Sequence, residues 1–173
     1  MKTYQDFMLE CSEIEESSLS RIKSKSDKGG LAILSGSRGD KSKKENKARA
    51  KQLDKDIKGK GLPGATKATG RWTEKDDDTG KETKVKERSH IVSSGKKGKR
   101  KFKKAVKALG KKYGQDAVLT QTKKTGTLSA TRKGGMGKGP KNKTTTSVGK
   151  MRPGRSSADG DTKIKNKTFT YSK

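Results

Sequence analysis

This chain is poor in the residues that most chemistry needs. Its 173 residues include one cysteine, Cys11, and one histidine, His90. A single thiol forms no intrachain disulfide and no cysteine-based zinc site. His90 sits inside an apolar stretch with no nucleophile elbow nearby, so no catalytic triad is indicated, and a packed or edge role is expected. Hydrophobic residues make up 24% and aromatics 4% of the chain, which places it at the border of the disordered class. No apolar run approaches the ~18 residues of a membrane span. The N-terminus lacks the basic-then-apolar order of a secretory signal. Acidic residues are outnumbered, 19 against 46 Lys and Arg.

What is abundant is positive charge, +27 net with a pI near 10.2. A surface this cationic repels itself unless a polyanion neutralises it. Nucleic acid is therefore the expected partner, with an anionic membrane second.

The densest charge lies in a stretch from Glu87 to Arg132. Phe102, Val106, Leu109 and Tyr113 share one face of a helix expected over 99–113. Ser89–Ser94 reads as a strand before it, and 117–121 and 127–131 as a hairpin after it. Upstream, the unbroken run Leu31-Ala32-Ile33-Leu34-Ser35 reads as a strand covered on both faces. Ser42-Lys43-Lys44-Glu45 is a capping box opening a helix whose face is Asn46, Ala50, Leu53 and Ile57. Residues 65–73, with the lone Trp72, read as a further strand, and Trp72 as a core or rim residue. Arg38-Gly39-Asp40 reads as a turn. Asp76-Asp77-Asp78 lacks the alternating spacing of a calcium loop and reads as solvated.

This order predicts an α+β fold, a small ferredoxin-like βαββαβ sheet plus an edge strand, with two basic amphipathic helices on one face. Four segments follow: an acidic peptide 1–16, a disordered linker 17–30, a basic α/β domain 31–132 and a disordered basic tail 133–173. The tail is rich in Gly, Lys, Ser and Thr and has too little apolar surface to offset its ordering entropy.

The opening MKTYQDFMLE resembles the start of the internal head proteins of T-even phages and their marine relatives. The resemblance implies a capsid-targeting peptide, docking through Tyr4, Phe7 and Met8. It also implies removal by a prohead protease at Ile14-Glu15-Glu16, before Ser17, where the chain's charge changes sign. Residues 31–131 are similar to a widespread bacterial and phage α/β domain of unknown function. That likeness rests on Asn46, Arg49 and Leu53, on Gly70 to Glu74, on Glu87-Arg88-Ser89, and on Leu109-Gly110 with Tyr113 to Val118.

No phosphate loop is present, and the glycine-rich stretch 134–139 is not followed by a helix pattern. The polar set Asn46, Arg49, Glu74, Glu87 and Gln115 is read as bracing the fold. The expectation is thus a non-enzymatic virion protein with no cofactor, no metal, no membrane contact and no small-molecule substrate. It would lie in the capsid interior, packed with double-stranded DNA, its other partners being the capsid scaffold and the prohead protease. Host cytoplasm after injection is the second compartment. Sequence-independent phosphate contacts are assigned to Lys96, Lys97, Lys99, Arg100, Lys101, Lys103, Lys104, Lys107, Lys111 and Lys112. The alternatives are a capsid structural or decoration protein, and a host-directed inhibitor or small enzyme delivered by the phage.

Overall fold

The structure is a computed structural model, and it describes residues 19–75, 79–132, 145–155 and 160–172. Helix α1 spans residues 19–28. It is followed by β1 (Leu31–Ser35), α2 (Lys43–Gly59), β2 (Thr66–Lys75), β3 (Glu82–Ser93) and α3 (Lys99–Lys112). Then come β4 (Ala117–Gln121), β5 (Gly126–Ala130), β6 (Thr145–Pro153), β7 (Gly160–Ile164) and β8 (Lys167–Ser172).

Local chemistry explains the two longer helices. Ser42 caps α2: its hydroxyl accepts from the Glu45 amide at 3.2 Å, and the Glu45 carboxylate accepts from the Ser42 amide at 2.9 Å. The reciprocal pair satisfies two N-terminal donors. Ala50, Leu53 and Ile57 form the buried stripe of α2. Helix α3 has no side-chain cap and buries Phe102, Val106, Leu109 and Gly110. Gly110 is required by contact, because a Cβ there would collide with Val118 and lie 2.9 Å from a Thr131 methyl. Its absence lets α3 seat on β4.

The eight strands close into a barrel in the order β1-β3-β2-β7-β8-β6-β5-β4. Every neighbouring pair is antiparallel. Residues opposite one another share a face, and successive residues alternate faces. In β1, Ala32 and Leu34 turn outward into a cluster with Leu53 and Ile57 of α2 and Phe102, Val106 and Leu109 of α3. Leu31 and Ile33 turn inward to Ile91, Ala68, Ile164, Phe169, Met151 and Tyr171. Leu19 and Ile22 of α1 belong to that inner cluster.

The expected open, ferredoxin-like sheet is therefore overturned. Both of the edges it implied are paired, β2 with β7 and β5 with β6. Residues read as a disordered tail supply β6, β7 and β8, and residues read as a linker supply α1. The reason is cooperative. These strands carry only one or two large apolar side chains each, so none is stable alone. Within the barrel their backbone groups are paired and their few apolar groups share one interior. Arg71 on β2 grips Asp161 on β7 through two bonds of 2.7 Å, at directly opposed positions. The Asp76-Asp77-Asp78 loop and the glycine-rich stretch 134–139 lie outside the described residues.

His90 is packed under α2, with its side chain 3% exposed and Nε2 3.3 Å from Asp54. Burial pushes its pKa below the ordinary histidine value, outweighing the pull of Asp54; Lys67 adds to the downward shift. Folding therefore favours the neutral ring, and the unfolded chain binds the proton more readily. Stability is full above the ordinary value near 6.5 and falls as pH drops through it. The denaturation midpoint of the wild type should decrease between pH 7.5 and 5.5, and His90→Gln should flatten that slope. An unchanged slope in the variant would refute the assignment, since this chain has no other histidine.

Phe169 on β8 is 1% exposed. Phe169→Ala should cost about 3–5 kcal/mol by chemical denaturation. A disordered tail would make the same change silent.

Candidate active site

A cleft of about 1000 Å³ opens where β1 ends. One wall is the loop Ser37–Lys41 with Lys43, Asn46 and Lys47 of α2. A second is the β2–β3 hairpin, through Thr69, Trp72 and residues 85–88. The third is the loop Gly114–Asp116 after α3, with Ala117 and Arg132.

The walls are held by side chains that bond to backbone. Arg49 donates from Nε to the Gly36 carbonyl at 2.6 Å and from Nη2 to the Tyr113 carbonyl at 2.6 Å. Its guanidinium lies 5.4 Å from the Tyr113 ring centroid. One side chain thus ties α2 to the loops after β1 and α3. Gly36 is buried here, and a Cβ on it would approach the Arg49 carbonyl to 3.2 Å. Asn46 acts as a surrogate strand. Its Oδ1 accepts from the Arg38 amide at 2.9 Å, and its Nδ2 donates to the carbonyls of Arg38 at 2.9 Å and Lys41 at 3.1 Å.

Across the cleft, Arg38 Nη1 donates to the Gly114 carbonyl at 2.5 Å and Nε to Asp40 at 3.3 Å. Gly114 has φ +72°, a conformation glycine adopts freely. The Thr131 hydroxyl donates to the Gln115 carbonyl. Arg132 pairs with Asp116 at 2.6 Å. Among the described residues, Gln115 Oε1 is buried without a hydrogen-bond partner. Beneath the loop, Tyr113 Oη donates to Asp56 at 2.6 Å, and Lys112 Nζ reaches the same oxygen at 2.7 Å. Lys112, then Tyr113, hold the Asp56 carboxyl below its ordinary range. Burial, then the bond to Asp56, pushes the Tyr113 phenol up.

The hairpin wall follows from register. Trp72 stands opposite Val85, and Glu87 opposite Gly70. Alternation puts Trp72 and Glu87 on the inward face with Ala68 and Ile91. Both are half-buried at the barrel mouth. Gly70 makes room for the indole, since a Cβ there would lie 3.3 Å from Trp72 Cζ3 and 2.8 Å from Ser89 Oγ. The lining carries Arg38, Lys41, Lys43, Lys47, Lys86, Arg88 and Arg132 against Asp40, Glu87 and Asp116, a local excess of cations.

None of the lysines and arginines assigned to phosphate contact lines this cleft. Lys99, Arg100, Lys101, Lys103, Lys104, Lys107, Lys111 and Lys112 are exposed on α3, Lys96 is exposed before it and Lys97 is half-buried. The docking residues Tyr4, Phe7 and Met8 and the cleavage site Ile14, Glu16 and Ser17 lie outside the described residues. The polar set read as braces divides. Asn46, Glu87 and Gln115 line the cleft, Arg49 braces it, and nothing is described of the Glu74 side chain. Trp72, read as a core or rim residue, and Arg38, read as a turn residue, both face the cleft. The available signal was the clustering of polar and aromatic residues at loop and strand ends.

Residues 32–173 match the S-adenosylmethionine lyase family. Among curated proteins nothing matches. Among solved structures the chain is similar to a phage SAM lyase in complex with S-methyl-5'-thioadenosine, at 22% identity. That likeness covers 53% of this chain and 75% of the other, with a TM-score of 0.35. The family match overturns the expected identity as a capsid-targeted, DNA-packed head protein and the decoration and inhibitor alternatives, and of the alternatives it leaves the small enzyme. It also overturns the expectation of a non-enzyme with no small-molecule substrate, and it spans every residue lining the cleft. The chain belongs to the S-adenosylmethionine lyase family.

Proposed function

We propose that this chain cleaves a carbon–sulfur bond of S-adenosylmethionine without water, in the cleft at the barrel mouth. The observation that carries the reading is the family match over residues 32–173, within which the whole cleft falls.

The chemistry suits the residues available. When a sulfonium leaves, the electrons of the broken bond pass to sulfur and a neutral thioether departs. The leaving group takes no proton, so no general acid is needed, and among the described residues the cleft lining has neither histidine nor cysteine. The carbon side is completed within the substrate: its own carboxylate attacks the carbon that sulfur leaves, a C–O bond forming as the C–S bond breaks, so a lactone departs with no proton to transfer. The protein's work is then to hold the substrate in a reactive conformation and shield it from water. Trp72 offers an aromatic surface for the adenine. Glu87 is the half-buried carboxylate of the cleft and provides counter-charge to the substrate's cations. The sulfonium charge disappears as the bond breaks, so an anion pressed against sulfur would favour the ground state over the transition state. Glu87 is better used on the ammonium end.

Incubation with S-adenosylmethionine should consume it and release S-methyl-5'-thioadenosine, followed by liquid chromatography and mass spectrometry. Glu87→Gln should lower kcat/KM by about ten- to hundredfold, the worth of one charge-assisted contact. A wild-type protein that leaves S-adenosylmethionine intact would sink the reading.

Ionic strength gives a second test. The substrate carries a net positive charge at neutral pH, and the protein carries +27. Their long-range interaction is repulsive, and salt screens it, the Debye length falling from about 30 Å at 0.01 M to about 10 Å at 0.1 M. Raising salt over that range should increase kcat/KM. A fall would show that the field attracts the substrate.

A further inference from the structure

We infer that Arg38 binds the carboxylate of the substrate's amino-acid arm. This assignment rests on the reading of the cleft as an S-adenosylmethionine site and names the residue that sets its specificity for an α-amino acid.

The carboxylate is the one anionic group on an otherwise cationic substrate, and seven cationic side chains line the cleft. They are not equivalent. Lys41, Lys43, Lys47, Lys86 and Arg88 are exposed, and of these Lys41 is paired to Asp40 at 3.8 Å. Each would lose stem rotamers on clamping a ligand. Arg132 is committed to Asp116, with Nε and Nη2 each 2.6 Å from the same carboxylate oxygen.

Arg38 is held in place before any ligand arrives. Its own N–H and C=O are both bonded to the Asn46 amide, each at 2.9 Å. Its guanidinium is anchored to the Gly114 carbonyl at 2.5 Å and to Asp40 at 3.3 Å. Gly114 has no side chain to obstruct it, and its Cβ position lies 3.6 Å from Arg38 Nη1. A guanidinium has five N–H donors. The two anchors use one each, which leaves enough for the paired bonds a carboxylate accepts from arginine. The side chain is still 42% exposed, so a ligand has access to it. A fixed, partly satisfied arginine with spare donors binds an anion at low entropic cost, whereas the neighbouring lysines do not.

The test compares two ligands on the full chain. One is S-adenosylmethionine; the other is its decarboxylated form, identical except for the missing carboxylate. Dissociation constants are measured by calorimetry for the wild type, Arg38→Gln and Arg38→Lys. Arg38→Gln should weaken S-adenosylmethionine by about ten- to hundredfold and leave the decarboxylated form within about twofold. Arg38→Lys should restore only part of the loss, since it returns the charge without the fork. An equal loss for both ligands, or none for either, overturns the assignment. If Arg38→Gln does not fold, Arg38→Lys decides by the same comparison. Failure of the wild type to bind S-adenosylmethionine would overturn the assignment by removing the reading beneath it. Normal wild-type binding with no ligand discrimination in the variants would overturn the assignment alone.

Discussion

The ladder between β2 and β7 makes this molecule a barrel. Four residue pairs, from Thr69–Lys163 to Trp72–Gly160, join two segments about ninety positions apart, and Arg71 and Asp161 clasp across them. Without that ladder the long β2–β3 hairpin would end in an open edge, a row of unpaired backbone donors and acceptors. With it, the backbone of every strand has a neighbour on both sides, and one interior is shared by all eight strands. Sharing explains how a chain with 24% hydrophobic residues folds at all. Each strand supplies one or two inward apolar groups, such as Leu31 and Ile33 from β1, Ile164 from β7 and Phe169 from β8.

Closure also sets the site. It holds the β2–β3 hairpin upright, so that Trp72 and Glu87 stand at the barrel mouth facing the loops after β1 and α3. Those loops are short of apolar residues, and hydrogen bonds to backbone carbonyls replace packing. Arg49, Asn46 and Thr131 each spend their side chains on main-chain atoms of the cleft walls. Such bonds fix geometry to a few tenths of an ångström and leave the cleft surface polar, which suits a substrate with several polar and charged groups.

The positive charge has a different address. The basic run of α3 covers the helix surface that faces solvent, while Phe102, Val106 and Leu109 face the sheet. A field of this sign does nothing to draw in a cationic sulfonium. The composition therefore pointed to the surface and not to the reaction, because net charge bears on solubility and non-specific association and is silent on what a cleft can do.

Much of the local structure was readable from residue order alone. The capping box at Ser42, the apolar stripes of α2 and α3 and the two-faced strand at Leu31–Ser35 all follow from spacing and side-chain chemistry within a few turns. The barrel was not readable in this way. Strands β6 to β8 are largely polar, and the β7–β8 turn is made by Lys165, at φ 50°, with Asn166, where an Asn-Gly pair would have announced a hairpin. Their stability comes from partners distant in sequence, which no local window contains. The site was hidden for the same reason. Asn46, Glu87 and Gln115 were visible as polar residues, but whether such residues brace or bind depends on which loops the closed sheet brings face to face. Sequence order settled the helices and the inner strands, where each residue's partners lie nearby; only the tertiary ladder decided the closure, and with it the cleft.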